Sequence, residues 1–107
     1  MRVDLRKKAE DQYGVELPNP HFPPPADQRA WPLYEIASSA LLSTADKLSV
    51  SESLERYVLM RRIMSDAPKG AVEMTTGEAE LVKKAVASIY TPLVLGQLHD
   101  AIEAGAK

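Results

Sequence analysis

The chain has 107 residues, 45% of them hydrophobic and 26% charged, which is the ordinary composition of one globular domain and argues against overall disorder. The formal net charge of −2 excludes the strong basic field that attracts nucleic acid or an anionic membrane. Cysteine is absent, which excludes a disulfide scaffold. No apolar run is long enough for a membrane span, and the charged N-terminus does not match a secretory signal, so we expect a cytoplasmic protein.

Residues 1–17 can be interpreted in two ways. Leu5, Ala9 and Tyr13 have the spacing of a short helix that ends at Gly14. Alternatively, the segments MRVDL and YGVEL would form two short strands. Neither pattern is long enough to decide, and we favour the extended or hairpin structure.

Residues 17–32, LPNPHFPPPADQRAWP, contain six of the eight prolines and cannot form a regular helix or a central strand. We predict an extended, polyproline-like arm, anchored to the helices by Phe22 and Trp31 together with His21. A PxxP spacing in the arm is compatible with an SH3-type ligand. An arm packed on its own domain, or on a neighbouring subunit, is the favoured interpretation.

Two helices are predicted after the arm. Residues 32–42 form the first, with Pro32 at its first position, where a missing backbone N–H is tolerated. Residues 50–65 form the second. Ser49 and Glu52 have the three-residue spacing of a capping box, which predicts that this helix begins at residue 50.

The predicted helix at residues 50–65 carries apolar side chains around most of its circumference. Such a helix either lies at the centre of its domain or presents one face to another chain. The apolar residues are Leu54, Tyr57, Val58, Leu59, Met60, Ile63 and Met64. After a turn, residues 71–74 could form a short strand in which Val72 and Met74 share one face and Glu73 points away.

Residues 75–104 predict a hairpin of two helices. Thr75 and Glu78 have the spacing of a second capping box. Pro92 predicts that the first helix ends near Tyr90 and that a new helix begins at the proline, with one continuous kinked helix as the less favoured alternative. The two apolar stripes are Val82, Ala85, Val86 and Ile89, then Leu95, Leu98, Ala101 and Ile102.

Two glycines of the hairpin are interpreted structurally. Gly96 lies inside the second predicted helix, where it is either a tolerated weakness or a site at which another backbone approaches closely. Gly105 follows the last apolar residue of the stripe and is positioned to cap the C-terminus of the helix.

No pattern of reactive side chains points to catalysis. His21 and His99 are far apart in the sequence and have neither an HExxH pattern nor cysteine partners, so we predict no metal site and no cofactor. There is no GxSxG serine, no cysteine nucleophile and no glycine-rich phosphate loop. We therefore predict that the protein is not an enzyme.

Nucleic-acid binding is an unfavoured alternative. A helix-turn-helix interpretation of residues 75–104 fails on chemistry, because the second helix begins with apolar residues and carries acidic rather than basic side chains. Arg56, Arg61 and Arg62 form the one basic cluster that could contact phosphates, but two glutamates lie close by in the sequence.

The remaining signal is a surplus of apolar and aromatic side chains. The helix at residues 50–65 and the corner around residues 90–95 together carry more apolar surface than one small core is expected to absorb, and exposed apolar patches usually mark protein interfaces. The alternative is that these residues fill the core of a four-helix domain. The predicted partner-binding residues are Trp31, Tyr57, Arg61, Tyr90, Leu93 and Val94.

Three motifs carry a family resemblance: SLERYVLMRRIM at residues 53–64, VEMTTGEAE at 72–80 and YTPLVLGQ at 90–97. The third has the form Y-[ST]-P-L-[VI]-x-G-Q and is the most specific. Across roughly residues 35–103 the chain resembles a family of small proteins from tailed bacteriophages and prophages, whereas the proline arm departs from that pattern. The family has no settled activity, so the resemblance implies a phage setting rather than a reaction.

The sequence therefore predicts a mainly α fold of about four helices, with one or two short β-strands at most. Residues 1–32 would form an extended N-terminal segment and residues 33–107 the helical domain. We expect a non-enzymatic phage accessory protein, a virion-assembly adaptor or chaperone, that is a homo-oligomer and binds a phage structural protein or a host enzyme. The alternatives are an inhibitor of a host polymerase or defence nuclease and a small nucleic-acid-binding regulator. No membrane contact is expected, and the protein would lie in the bacterial cytoplasm or in the virion.

Overall fold

The computed structural model describes residues 1–17, 31–43 and 47–105. Within those ranges the fold is mainly α-helical, as predicted, with four α helices, one 3-10 turn and one two-stranded sheet. In chain order the elements are β1 (Arg2–Val3), α1 (Leu33–Leu41), α2 (Val50–Asp66), the 3-10 turn (Ala67–Lys69), β2 (Val72–Glu73), α3 (Thr76–Ile89) and α4 (Pro92–Gly105).

Both predicted capping boxes are present. At the start of α2, Ser49 Oγ accepts the Glu52 N–H at 3.1 Å, and the Glu52 carboxylate accepts the Ser49 N–H at 3.3 Å. Thr75 and Glu78 make the same pair of hydrogen bonds at the start of α3, at 3.1 and 2.9 Å. Each box satisfies N–H groups that have no partner inside the helix, so both helix starts follow from the local sequence.

The Glu78 carboxylate also connects α3 to α2. Its Oε2 accepts a hydrogen bond from Arg62 Nη1 at 2.7 Å, while its Oε1 accepts the N–H of Thr75. Burial by itself raises the pKa of Glu78, but the hydrogen bonds from Thr75 and Arg62 outweigh that effect and hold the pKa below its ordinary value of 4.5. The ionised carboxylate therefore stabilises the folded chain.

Replacing Glu78 with glutamine should lower the free energy of unfolding at neutral pH by about 1 kcal/mol, because the cap is weakened and the ion pair is lost. Since the folded pKa is depressed, the stabilisation by the carboxylate is present above the ordinary pKa of 4.5 and is lost as the pH falls through the lowered value. Urea unfolding over that range should show the two proteins converging in acid. Glu80→Gln, on the same helix with a 66% exposed side chain, is the matched control. A difference that persists unchanged in acid would contradict this account.

The N-terminal segment is extended and belongs to the domain core. β1 pairs antiparallel with β2, with Arg2 opposite Glu73 and Val3 opposite Val72. Further along, the N–H of Ala9 donates to the Trp31 carbonyl at 2.9 Å, so this segment runs beside the start of α1. The extended interpretation of residues 1–17 is confirmed and the helical one is wrong.

The short N-terminal turn differs in detail from the prediction. The two segments MRVDL and YGVEL do not pair as two strands; the chain instead turns at Asp11, whose N–H donates to the Val15 carbonyl at 2.8 Å, and a single bridge joins Glu10 to Glu16. β2 is the strand partner of β1. The predicted orientation of its side chains is confirmed, because Val72 is buried and Glu73 is exposed. The proposed anchors His21 and Phe22 and most of the proline arm lie outside the described residues.

Helix α1, rather than α2, lies at the centre of the domain. α1 packs against both α2 and α3, while α4 packs against α3 and β1. The small side chains of Ala37 and Ala40 are fully buried there. The interpretation that placed the helix at residues 50–65 in the centre is therefore wrong. The buried residues of α1 are Leu33, Ile36, Ala37, Ser38, Ala40 and Leu41.

The C-terminal hairpin forms as predicted, with a clean break at the proline. α3 ends at Ile89, Tyr90 has extended backbone angles (φ −117°, ψ 166°), and α4 begins at Pro92. A single kinked helix is excluded, because the backbone at Tyr90 leaves the helical region altogether. The buried residues Ala79, Val82, Ala85 and Val86 of α3 and Val94, Leu98 and Ile102 of α4 face the core.

The close backbone approach considered for Gly96 occurs at Gly105 instead. A Cβ built on Gly96 meets no described atom within 4 Å beyond its chain neighbours and its own helix backbone, whereas one built on Gly105 would overlap the carbonyl oxygen of Arg2 in β1. Gly105 is the last residue of α4 and does not have the left-handed φ of a C-terminal glycine cap, so that predicted role is wrong. Its missing side chain makes room for β1.

Candidate protein-contact face

Helix α2 has one buried face and one apolar face that is open to solvent. Arg56, Leu59 and Ile63 are buried against the rest of the domain. The opposite side of the helix carries large hydrophobic side chains, including Val50 at 78%, Leu54 at 58% and Val58 at 57% exposure. We call this exposed face the α2 seam and define it by Val50, Leu54, Tyr57, Val58, Arg61 and Met64.

The α2 seam has the spacing of a helix that packs against another helix. Val50, Leu54, Tyr57, Arg61 and Met64 follow each other at intervals of four, three, four and three residues. This alternation keeps side chains aligned along one line of an α-helix and is the pattern of the contact positions in coiled coils. The seam extends over most of α2, which is about 25 Å long.

A tyrosine and an arginine meet in the middle of the α2 seam. Arg61 Nη1 donates a hydrogen bond to the Tyr57 hydroxyl at 3.0 Å, and its guanidinium carbon lies 5.8 Å from the centre of the Tyr57 ring. The hydrogen bond raises the pKa of Arg61 above its ordinary value, so the guanidinium is charged at any physiological pH. Tyrosine and arginine are enriched among the residues that dominate binding energy at interfaces.

Charged side chains lie along the whole length of α2. Glu52 and Glu55 lie in its first half and are exposed, whereas Arg61 and Arg62 lie in its second half. Arg62 is held by Glu78, and Arg61 extends on the exposed face. Asp66, also exposed, lies at the C-terminal end of α2, so the exposed charges of the helix do not divide into a negative and a positive half.

The structure separates the predicted partner-binding residues into two groups. Tyr57 and Arg61 belong to the α2 seam. Leu93 is 38% exposed and lies on α4, near the half-buried Tyr90. Val94 is 5% exposed and faces the core, so its prediction as a partner-binding residue is wrong. The alternating faces of a helix explain the error, since neighbouring residues of an apolar run point in different directions.

Trp31 packs against the domain through an aromatic contact. The rings of Trp31 and Tyr90 are 5.5 Å apart between centroids and cross at 68°, an edge-to-face arrangement. Burial raises the pKa of the Tyr90 hydroxyl, and a hydrogen bond with Ser39 opposes the rise. The ring contact fits the predicted role of Trp31 as an anchor for the segment that precedes α1.

The most specific sequence motif, YTPLVLGQ, has a structural role that the sequence did not reveal. Gln97, the last residue of the motif, makes two hydrogen bonds to the backbone of Glu10. Its Oε1 accepts the Glu10 N–H at 2.8 Å, and its Nε2 donates to the Glu10 carbonyl at 2.7 Å. At the other end of the motif, Tyr90 contacts Trp31. The motif therefore fastens two preceding segments to α4. Gln97 and Glu10 are 87 positions apart in the sequence, so no local pattern could reveal this contact.

The proposed basic cluster is not a surface in the folded chain. Arg56 is 2% exposed on the core side of α2, so it cannot contact a phosphate. Arg62 is occupied by the Glu78 carboxylate at 2.7 Å. Only Arg61 of the three extends on the exposed face, and the prediction of Arg56 as a nucleic-acid-binding residue is wrong.

A second concavity lies between α3 and α4. It is an open groove of about 530 Å³ whose floor includes Ala87, Pro92, Leu95 and the open position at Gly96. Charged side chains of both signs also line it, and one of its two lysines, Lys83, is paired with Glu80 and Glu103. Lys84, His99 and Asp100 also line the groove.

Comparisons with protein-family models, with curated protein sequences and with solved structures found no match for this chain. Across the described ranges, no helix combines the length and the apolar character needed to cross a bilayer. In the same residues, no three histidine, aspartate or glutamate side chains are grouped closely enough to hold a metal ion. The α2 seam is the candidate site because it is an exposed apolar face opposite the buried face of the helix.

Proposed function

We propose that this protein acts by binding other protein chains, and that the α2 seam is its contact face. The observation that carries the proposal is the exposed apolar line on α2, which lies opposite the face that builds the core. A line of large exposed apolar side chains along a whole helix is typical of a protein contact surface. The central Tyr57–Arg61 pair supplies the residue types expected of an interface anchor.

The phage resemblance suggests the setting in which the face is used. The motifs at residues 53–64 and 90–97 resemble those of small phage and prophage proteins. From this resemblance and the exposed apolar face of α2, we propose an accessory protein for virion assembly, either an adaptor or a chaperone. An inhibitor of a host enzyme would use the same kind of face, so the identity of the bound protein is what distinguishes the two.

Replacing Leu54 with aspartate should abolish capture of the partner protein while leaving the fold intact. Leu54 is 58% exposed, so the change removes contact area and places a charge in the seam without disturbing the core. The measurement is affinity capture from a lysate of phage-infected bacteria, followed by mass spectrometry of the bound proteins. A virion structural protein supports the adaptor, and a polymerase or nuclease supports the inhibitor.

Val15→Asp is the matched control for this experiment. Val15 is 61% exposed, close to Leu54, but lies in the N-terminal turn away from α2. The control should capture the same protein as the unmodified chain, and both variants should unfold within about 0.5 kcal/mol of it. If no protein is captured, or if Leu54→Asp captures it as well as the control does, the α2 seam is not the contact face.

A further inference from the structure

We draw no further inference here: the strongest candidate, the open groove between α3 and α4 whose floor includes Ala87, Leu95 and Gly96, is lined by charges of both signs, and nothing in the structure shows what covers it.

Discussion

Replacing Gly105 with alanine should lower the free energy of unfolding by about 2–3 kcal/mol. The added Cβ would overlap the carbonyl oxygen of Arg2 and would lie 3.0 Å from the Arg2 carbonyl carbon and 3.1 Å from the Val3 Cα. These are backbone atoms of β1 and cannot rotate away as a side chain would. Either β1 must move from its pairing with β2, or the end of α4 must unwind.

Gly96→Ala is the matched control, because it adds the same methyl group to the same helix. Apart from its chain neighbours and the backbone of its own helix, no described atom lies within 4 Å of the new Cβ, so the variant should gain about 0.5–1 kcal/mol from the higher helix propensity of alanine. Urea unfolding followed by circular dichroism measures both variants against the original chain. Should the two alanines shift the midpoint in the same direction, the close contact between α4 and β1 is not formed in solution.

Replacing Gln97 with methionine should lower the free energy of unfolding by about 2 kcal/mol, because it leaves the partly buried N–H and carbonyl of Glu10 without their partners. Methionine has nearly the length of glutamine, so packing changes little and the loss reports the two hydrogen bonds. Amide hydrogen exchange should also accelerate at Glu10, since its N–H no longer donates to Gln97 Oε1.

Gln12→Met serves as the control for this second variant. Gln12 is exposed in the N-terminal turn, so the same chemical change there should alter the unfolding free energy by less than about 0.5 kcal/mol. Exchange at Glu10 that is equally slow in the Gln97 variant would show that water, or another group, replaces the glutamine without loss.

Local signals in the sequence predicted the helix boundaries well. The capping boxes at Ser49 and Thr75 set the starts of α2 and α3, and Pro92 sets the start of α4. Each signal acts within one helical turn through hydrogen bonds or the fixed φ of proline, so it does not depend on the rest of the fold. Boundaries of this kind can be read from a single sequence.

Contacts between distant residues were not predictable in this way. Gln97 reaches Glu10, Gly105 accommodates Arg2, and Arg62 reaches Glu78, but none of these pairs has a spacing that a local pattern would mark. The predictions that Arg56 and Val94 would contact a partner failed for the same reason, because both side chains are buried by contacts with distant parts of the chain. Composition shows that a residue is basic or apolar, whereas only packing decides which way it faces.

For α2, the sequence by itself determined that the helix forms, where it begins and that apolar side chains surround it, because capping and periodicity are properties of the local chain. It also limited the fold to a small helical domain. Only the tertiary structure decided that α1 takes the central place, so that one face of α2 packs on it while the α2 seam remains open. The physical reason is that a helix can bury a given face only against a neighbour, and the neighbours are chosen by contacts far apart in the chain.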